Sequence, residues 1–182
     1  MGVGVAFNSK NIEVGLGVLA QRMSMAGIQA EIAVCGGANI ALLHNGMRET
    51  GDIDYFKVWI SEREEQFRRM VEEIGEDLYG NPEWLNDHVS ELVSMPAIAV
   101  EGSETRTYGS GALVVHWSSP AAVLVLKAYA GREDDLEDAR LLVRGTGISS
   151  PEGLFSATMA AIPETRSRED HVRKFCEEVF RG

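Results

Sequence analysis

Two aspartates one residue apart, Asp52 and Asp54, close a segment that opens on a glycine pair, Gly36 and Gly37. These residue types can do two connected pieces of chemistry. Glycines where a strand hands over to a helix let an anion reach backbone N–H groups at the positive end of the helix dipole, because no Cβ stands in the way. An Asp-x-Asp pair on a strand sends both carboxylates to one face, roughly 7 Å apart at the backbone, which suits one or two Mg²⁺ ions. The glycine pair alone is more often a tight turn. The acidic pair shifts the balance, since half-buried like charges are costly without a cation, donors or solvent.

Positioning these residues needs a strand, a helix and a second strand. Upstream, Ile12, Leu16, Leu19 and Met23 recur at helical spacing between Ser9, a candidate cap, and Gly27, a stop. The run "IQAEIAVC" has strand character and leads into the glycines, and a short helix is expected from Ala38 to Asn45, ended by Gly46. In "DIDYFKVWI" the alternation puts Ile53, Tyr55 and Lys57 on one side, and Asp52, Asp54, Phe56 and Val58 on the other.

Ser61 is a candidate cap for a charged helix to about Leu78, with an apolar stripe of Phe67, Met70, Val71, Ile74 and Leu78. Between Gly80 and Ser119, "NPEWLNDHVSELVSM" reads as a short helix, and "AIAVEGS", "TRTYGS" and "ALVVHW" as short strands. Pro120 opens an apolar helix, and Asp134-x-x-Glu137 has the form of a capping box for its continuation. Two more helices are expected, one from Ser150-Pro151 and one over roughly Ser167 to Phe180. The fold class is thus α/β (α+β), a small mixed sheet flanked by helices, with a C-terminal helical extension. As domains, 1–182 reads as one, with an α/β core over 9–119 and C-terminal helices over 120–182 packed on it.

Whole-chain properties limit the function classes. The 182 residues are 45% hydrophobic and 25% charged, a globular balance. The net charge of −11 disfavours coating a polyphosphate with the bare surface, but carboxylates become a bridge to phosphate once a divalent ion lies between them. No run is long and apolar enough to span a bilayer, so no membrane partner is expected. Only two cysteines, Cys35 and Cys176, and a start without a secretory pattern point to a soluble protein in a reduced, cytoplasmic setting.

The run Gly36-Gly37-Ala38, a helix, then Arg48-x-Thr50-x-Asp52-x-Asp54 resembles the signature of the minimal nucleotidyltransferase fold, most closely its bacterial AbiEii toxin-like branch. "WLND" at Trp84–Asp87 and "LKAYAGREDDLEDARLL" are similar to motifs of that branch, and the resemblance covers roughly Leu16 to Leu142. It implies that Gly36 and Gly37 cradle the phosphates of an NTP and that Asp52 and Asp54 hold Mg²⁺ (or Mn²⁺). Lys127 would contact phosphate or developing charge. Asp135 and Asp138 would orient Lys127 or Arg132, or add a carboxylate, and Arg48 and Thr50 would face the nucleotide or stabilise the turn. The implied activity is transfer of an NMP to a hydroxyl of RNA (tRNA) or protein, with a toxin role beside a cognate antitoxin. Two departures stand out. Ala38 follows the glycine pair, so only backbone donors remain there, and the general base on a later strand has no clear occupant, Glu101, Asp87 and Asp135 being candidates.

The other chemistry-bearing residues have plainer readings. Lys127 is also a candidate for a boundary lysine that snorkels, and the Asp135 and Asp138 pair for a solvated face. The four histidines have no metal-ligand spacing, Cys35 reads as a small core residue, and Trp59, Trp84 and Trp117 read as packing groups. From a different functional class, a catalytically inactive nucleotide-binding or protein-interaction module on the same fold stays open. A phosphatase or glycosyltransferase built on Asp-x-Asp ranks lower, because "RETG" and not a long apolar strand precedes the pair.

Overall fold

The structure is a computed structural model and describes residues 6–43, 49–91 and 96–181. It is a mixed α/β architecture with a five-stranded sheet in the order β3-β2-β1-β5-β4, flanked by helices and followed by C-terminal helices. The chain divides after Ser118 into two units.

In the first unit, α1 (Ser9–Ala26) starts one residue earlier than the Ser9 cap expected. Asn8 is the cap, accepting from the N–H groups of Lys10 and Asn11, while the Asn11 side chain accepts from Asn8 N. Ile12, Leu16, Leu19 and Met23 are all fully buried, as their spacing predicts, and α1 ends at Gly27 in the left-handed region. β1 (Ala30–Val34) pairs antiparallel with β2 (Ile53–Ile60) and parallel with β5 (Leu113–Trp117), which pairs antiparallel with β4 (Glu104–Tyr108). β3 is only Leu85–Asn86, parallel to the start of β2. Ile32, Val34, Ile53, Tyr55 and Val115 pack with the apolar faces of α1 and α3 (Glu64–Tyr79) in one core.

Several expectations need correction. α3 begins at Glu64 with no side-chain cap, so Ser61 does not start it, and Leu78 is largely exposed while Tyr79 takes the buried place. "AIAV" is not a strand: Pro96–Val100 forms a short helix, α4, against β1, β2 and β5. "WLND" is not helical either. Trp84 O accepts from Ile53 N, Leu85 and Asn86 form β3, and a 3₁₀ turn follows at His88–Glu91. Trp84 and Trp117 are core residues, but Trp59 is half exposed.

The second unit holds α5 (Pro120–Ala130), α6 (Leu136–Thr146), α7 (Pro151–Ala161) and α8 (Glu169–Val179), with α5 in contact with the other three. Ser119 and Ser150 cap α5 and α7, each ahead of a proline in the first turn. The Asp134-x-x-Glu137 box does not start α6. A 3₁₀ turn at Glu133–Asp135 leads in, and Asp135 occupies the cap position without a side-chain cap bond. Among the described residues, no helix is long and apolar enough to cross a membrane.

Candidate functional site

The end of β1, the start of α2 (Gly36–Leu43) and the start of β2 meet at one corner of the sheet. α2 begins two residues before the expected Ala38. Its expected end at Asn45 and Gly46, and Arg48, lie outside the described residues. Cys35 N donates to Asp54 O at 3.1 Å, fixing the strand crossing directly ahead of Gly36.

Both glycines are held where a side chain would not fit. Gly36 has φ +70°, and a Cβ built on it would stand 2.8 Å from Asp54 Oδ2. A Cβ on Gly37 would stand 2.7 Å from Thr50 Oγ1. The glycine pair, Thr50 and Asp54 are therefore brought together, with one carboxylate and one hydroxyl packed over two Cβ-free residues at a helix start. Thr50 is anchored from both sides: its backbone exchanges hydrogen bonds with Phe7 at 2.7 and 3.0 Å, and its hydroxyl donates to Asp52 O at 3.1 Å.

Asp52 precedes β2 and is not within it, so the two carboxylates are not both strand residues as the alternation suggests. Both are half-buried. Asp52 Oδ2 accepts from Asn86 Nδ2 at 3.3 Å. Asn86, buried on β3 in register with Asp54, is a site neighbour that sequence reasoning missed as an individual residue; "WLND" was its only signal.

Asn86 also lines a cleft of about 170 Å³ with Tyr55, Phe67, Arg68, Asp87 and His88. Burial first, and then the Asp87 carboxylate, hold the Tyr55 phenol protonated well above its ordinary range. Asp87 lies 3.5 Å from Arg68, and Glu101 sits exposed in the turn after α4, away from any strand. Neither stands as a third carboxylate on a central strand. Among the described residues, no group of three or more His, Cys, Asp and Glu side chains is arranged to hold a metal ion.

In the second unit, Lys127 is buried, with its Nζ 2.5 Å from Asp135 Oδ1 and 2.8 Å from Asp138 Oδ2. The reading of that pair as a solvated face does not hold for Asp138, which is 1% exposed. Both carboxylates contact the Lys127 ammonium. His44 lies outside the described residues, and Cys35 and Cys176 are both buried without a disulfide.

Comparison of the chain with protein-family models, with curated proteins and with solved structures finds no match in any of the three.

Proposed function

We propose that this chain is a nucleotidyltransferase of the minimal fold, related to the AbiEii toxin-like branch, that binds an NTP at the start of α2 and moves its NMP to a hydroxyl. The observation that supports this most is the Cβ-free corner where Asp54 Oδ2 and Thr50 Oγ1 close on Gly36 and Gly37. A phosphate beside that corner would meet backbone donors and the positive end of α2, and a divalent cation on Asp54 would offset that carboxylate's repulsion. The donor set also fits a divalent cation, Mg²⁺ or Mn²⁺, with Asp52 and Asp54 as the residues that would hold it, both half-buried and oxygen-only. The ion, when bound, neutralises triphosphate charge and lowers the barrier to attack at phosphorus.

The chain's own residues divide the remaining work. Gly36 and Gly37 admit the phosphates, Asn86 fixes the Asp52 carboxylate, and Thr50 ties the turn. The acceptor oxygen bonds to the α-phosphorus as the bond to pyrophosphate breaks, and the hydroxyl proton passes to solvent. Arg48 belongs to the nucleotide-binding set of this reading, and Lys127, Asp135 and Asp138 are assigned to it by the sequence resemblance alone. The acceptor is RNA, tRNA foremost, or protein, in the cytoplasm, with toxin action held in check by a cognate antitoxin.

A second reading has specific support. Lys127 is already engaged by two carboxylates, which favours a nucleotide-binding module without transfer. Labelled NTPs with Mg²⁺ and total RNA or protein as acceptor distinguish the two. Transfer that disappears in Asp52→Asn with Asp54→Asn supports the enzyme, and binding without label over all four NTPs supports the module. Labelling unchanged in the double variant ends the metal-site assignment.

A further inference from the structure

A row of side chains runs across four strands on the sheet face opposite the α1 and α3 core. Glu31 on β1 lies directly across from Trp59 on β2, and His116 on β5 directly across from Thr105 on β4, so each pair shares a face. His116 Nε2 is 2.6 Å from Glu31 Oε1, which joins the two pairs into one row. His116 Nδ1 is 3.1 Å from Thr105 Oγ1 and 3.4 Å from Ser103 Oγ.

For a neutral imidazole the partners assign the tautomer. An ionised carboxylate only accepts, so in the neutral imidazole Nε2 carries the hydrogen toward Glu31 and Nδ1 is left as the acceptor. Either hydroxyl at Nδ1 can then donate, and that of Thr105 is the nearer. This is the arrangement of an activated nucleophile: hydroxyl to base, and base oriented by a third group. The base is nearly covered, at 9% exposure, whereas Thr105 is exposed on an edge strand and Trp59 is 50% exposed at the other end of the row.

We propose that Thr105, His116 and Glu31 form a second reactive centre, separate from the glycine corner, that takes an acyl group from an aryl ester. Thr105 Oγ1 bonds to the ester carbonyl carbon as its proton passes to His116 Nδ1. The carbon–oxygen bond to the aryl group breaks, and the leaving phenol takes that proton. Water, activated by the same imidazole, then cleaves the threonyl ester and regenerates the hydroxyl. Glu31 holds the ring and stabilises its protonated form, and an aryl ester suits the centre because a phenol is a good leaving group.

The test is p-nitrophenyl acetate with the full chain, read as phenolate release and by peptide mapping of acid-quenched protein. The expected result is acetyl on Thr105 and release above the buffer rate. Thr105→Val abolishes both, and Ser103→Ala retains both. His116→Gln and Glu31→Gln, which keep polar partners in the row, lower release, the first by about 100-fold. Thr105→Val changes an exposed side chain at constant shape, so its result does not depend on refolding a damaged core. Release at the buffer rate, acetyl only on lysines, or loss in Ser103→Ala with Thr105→Val unaffected each overturns the proposal.

Discussion

Asp54 Oδ2 crowds the place where the side chain of residue 36 would begin: a Cβ on Gly36 would stand 2.8 Å from it. Residue 36 also has φ +70°, so any L side chain there meets both backbone strain and a carboxylate. The left-handed conformation alone costs a non-glycine residue about 1–2 kcal/mol. Gly36→Ala is therefore expected to lower stability by at least that amount and to weaken Mg-ATP binding. Gly51→Ala, with nothing within 4 Å of its Cβ, is the matched control. Thermal unfolding and calorimetric titration of both variants check this, and equal behaviour would remove the steric basis of the site.

The Lys127 ammonium makes a different prediction, about stability alone. Its side chain is 9% exposed and those of Asp135 and Asp138 are 17% and 1% exposed, so the ion pairs are largely shielded from water. Removing the cation takes the ammonium from a buried and a half-buried carboxylate. Lys127→Met should cost about 3–5 kcal/mol by urea unfolding, the usual consequence of breaking a buried pair from one side. Asp138→Asn should cost more than Asp135→Asn, because Asp138 has less recourse to water.

How much of this was legible depends on the range of the interaction. The buried stripe of α1 follows from Ile12, Leu16, Leu19 and Met23 because helical period and burial agree there. The alternation of β2 holds as far as Phe56. A register shift opposite Glu31 and Ile32 then pairs Trp59, not Val58, with Glu31, and only the partner strand reveals it. "AIAV" fails for another reason: four small apolar residues suit a strand or a buried helix equally, and contact with three strands decided for the helix. At the site, the glycines and the two aspartates stand out by type and spacing, but the hold of Asn86 on Asp52 spans 34 residues. The row from Trp59 to Thr105 joins four strands, and no local pattern announces it.

A pH effect follows from Cys176. Burial, partly countered by Arg173, pushes its thiol from an ordinary 9.0 up to about 12. A raised pKa means the folded chain keeps a proton that the unfolded chain gives up. The stabilisation is fully present below about pH 9 and is lost as pH rises from there toward 12. Unfolding free energy measured between pH 8 and roughly 10.5 should fall with pH, and Cys176→Ala should flatten the first part of that fall. In the native state the thiol should also resist a disulfide reagent that titrates it rapidly in urea. A slope unchanged by the substitution would show that the buried tyrosines, whose phenols are also raised, account for the whole effect.

Two glycines on α1 should respond to the same substitution with opposite signs. An alanine in a helix interior is favoured over glycine by about 1 kcal/mol from the backbone alone. At Gly17 a Cβ meets nothing within 4 Å, so Gly17→Ala should raise stability by about that amount. At Gly15 the Cβ would come 2.5 Å from Tyr79 Oη and 2.6 Å from Trp84 Cζ3. Neither neighbour can yield cheaply. The Tyr79 hydroxyl donates to Asn11 O at 2.7 Å, and Trp84 is fully buried with its Nε1 donating to Val71 O at 2.8 Å. Overpacking of this kind costs about 1–3 kcal/mol, which outweighs the helix gain, so Gly15→Ala should be net destabilising. Urea unfolding of the two variants side by side decides the matter: the argument requires opposite signs, and two stabilised chains would mean that the Phe7, Tyr79 and Trp84 cluster has room the structure does not give it.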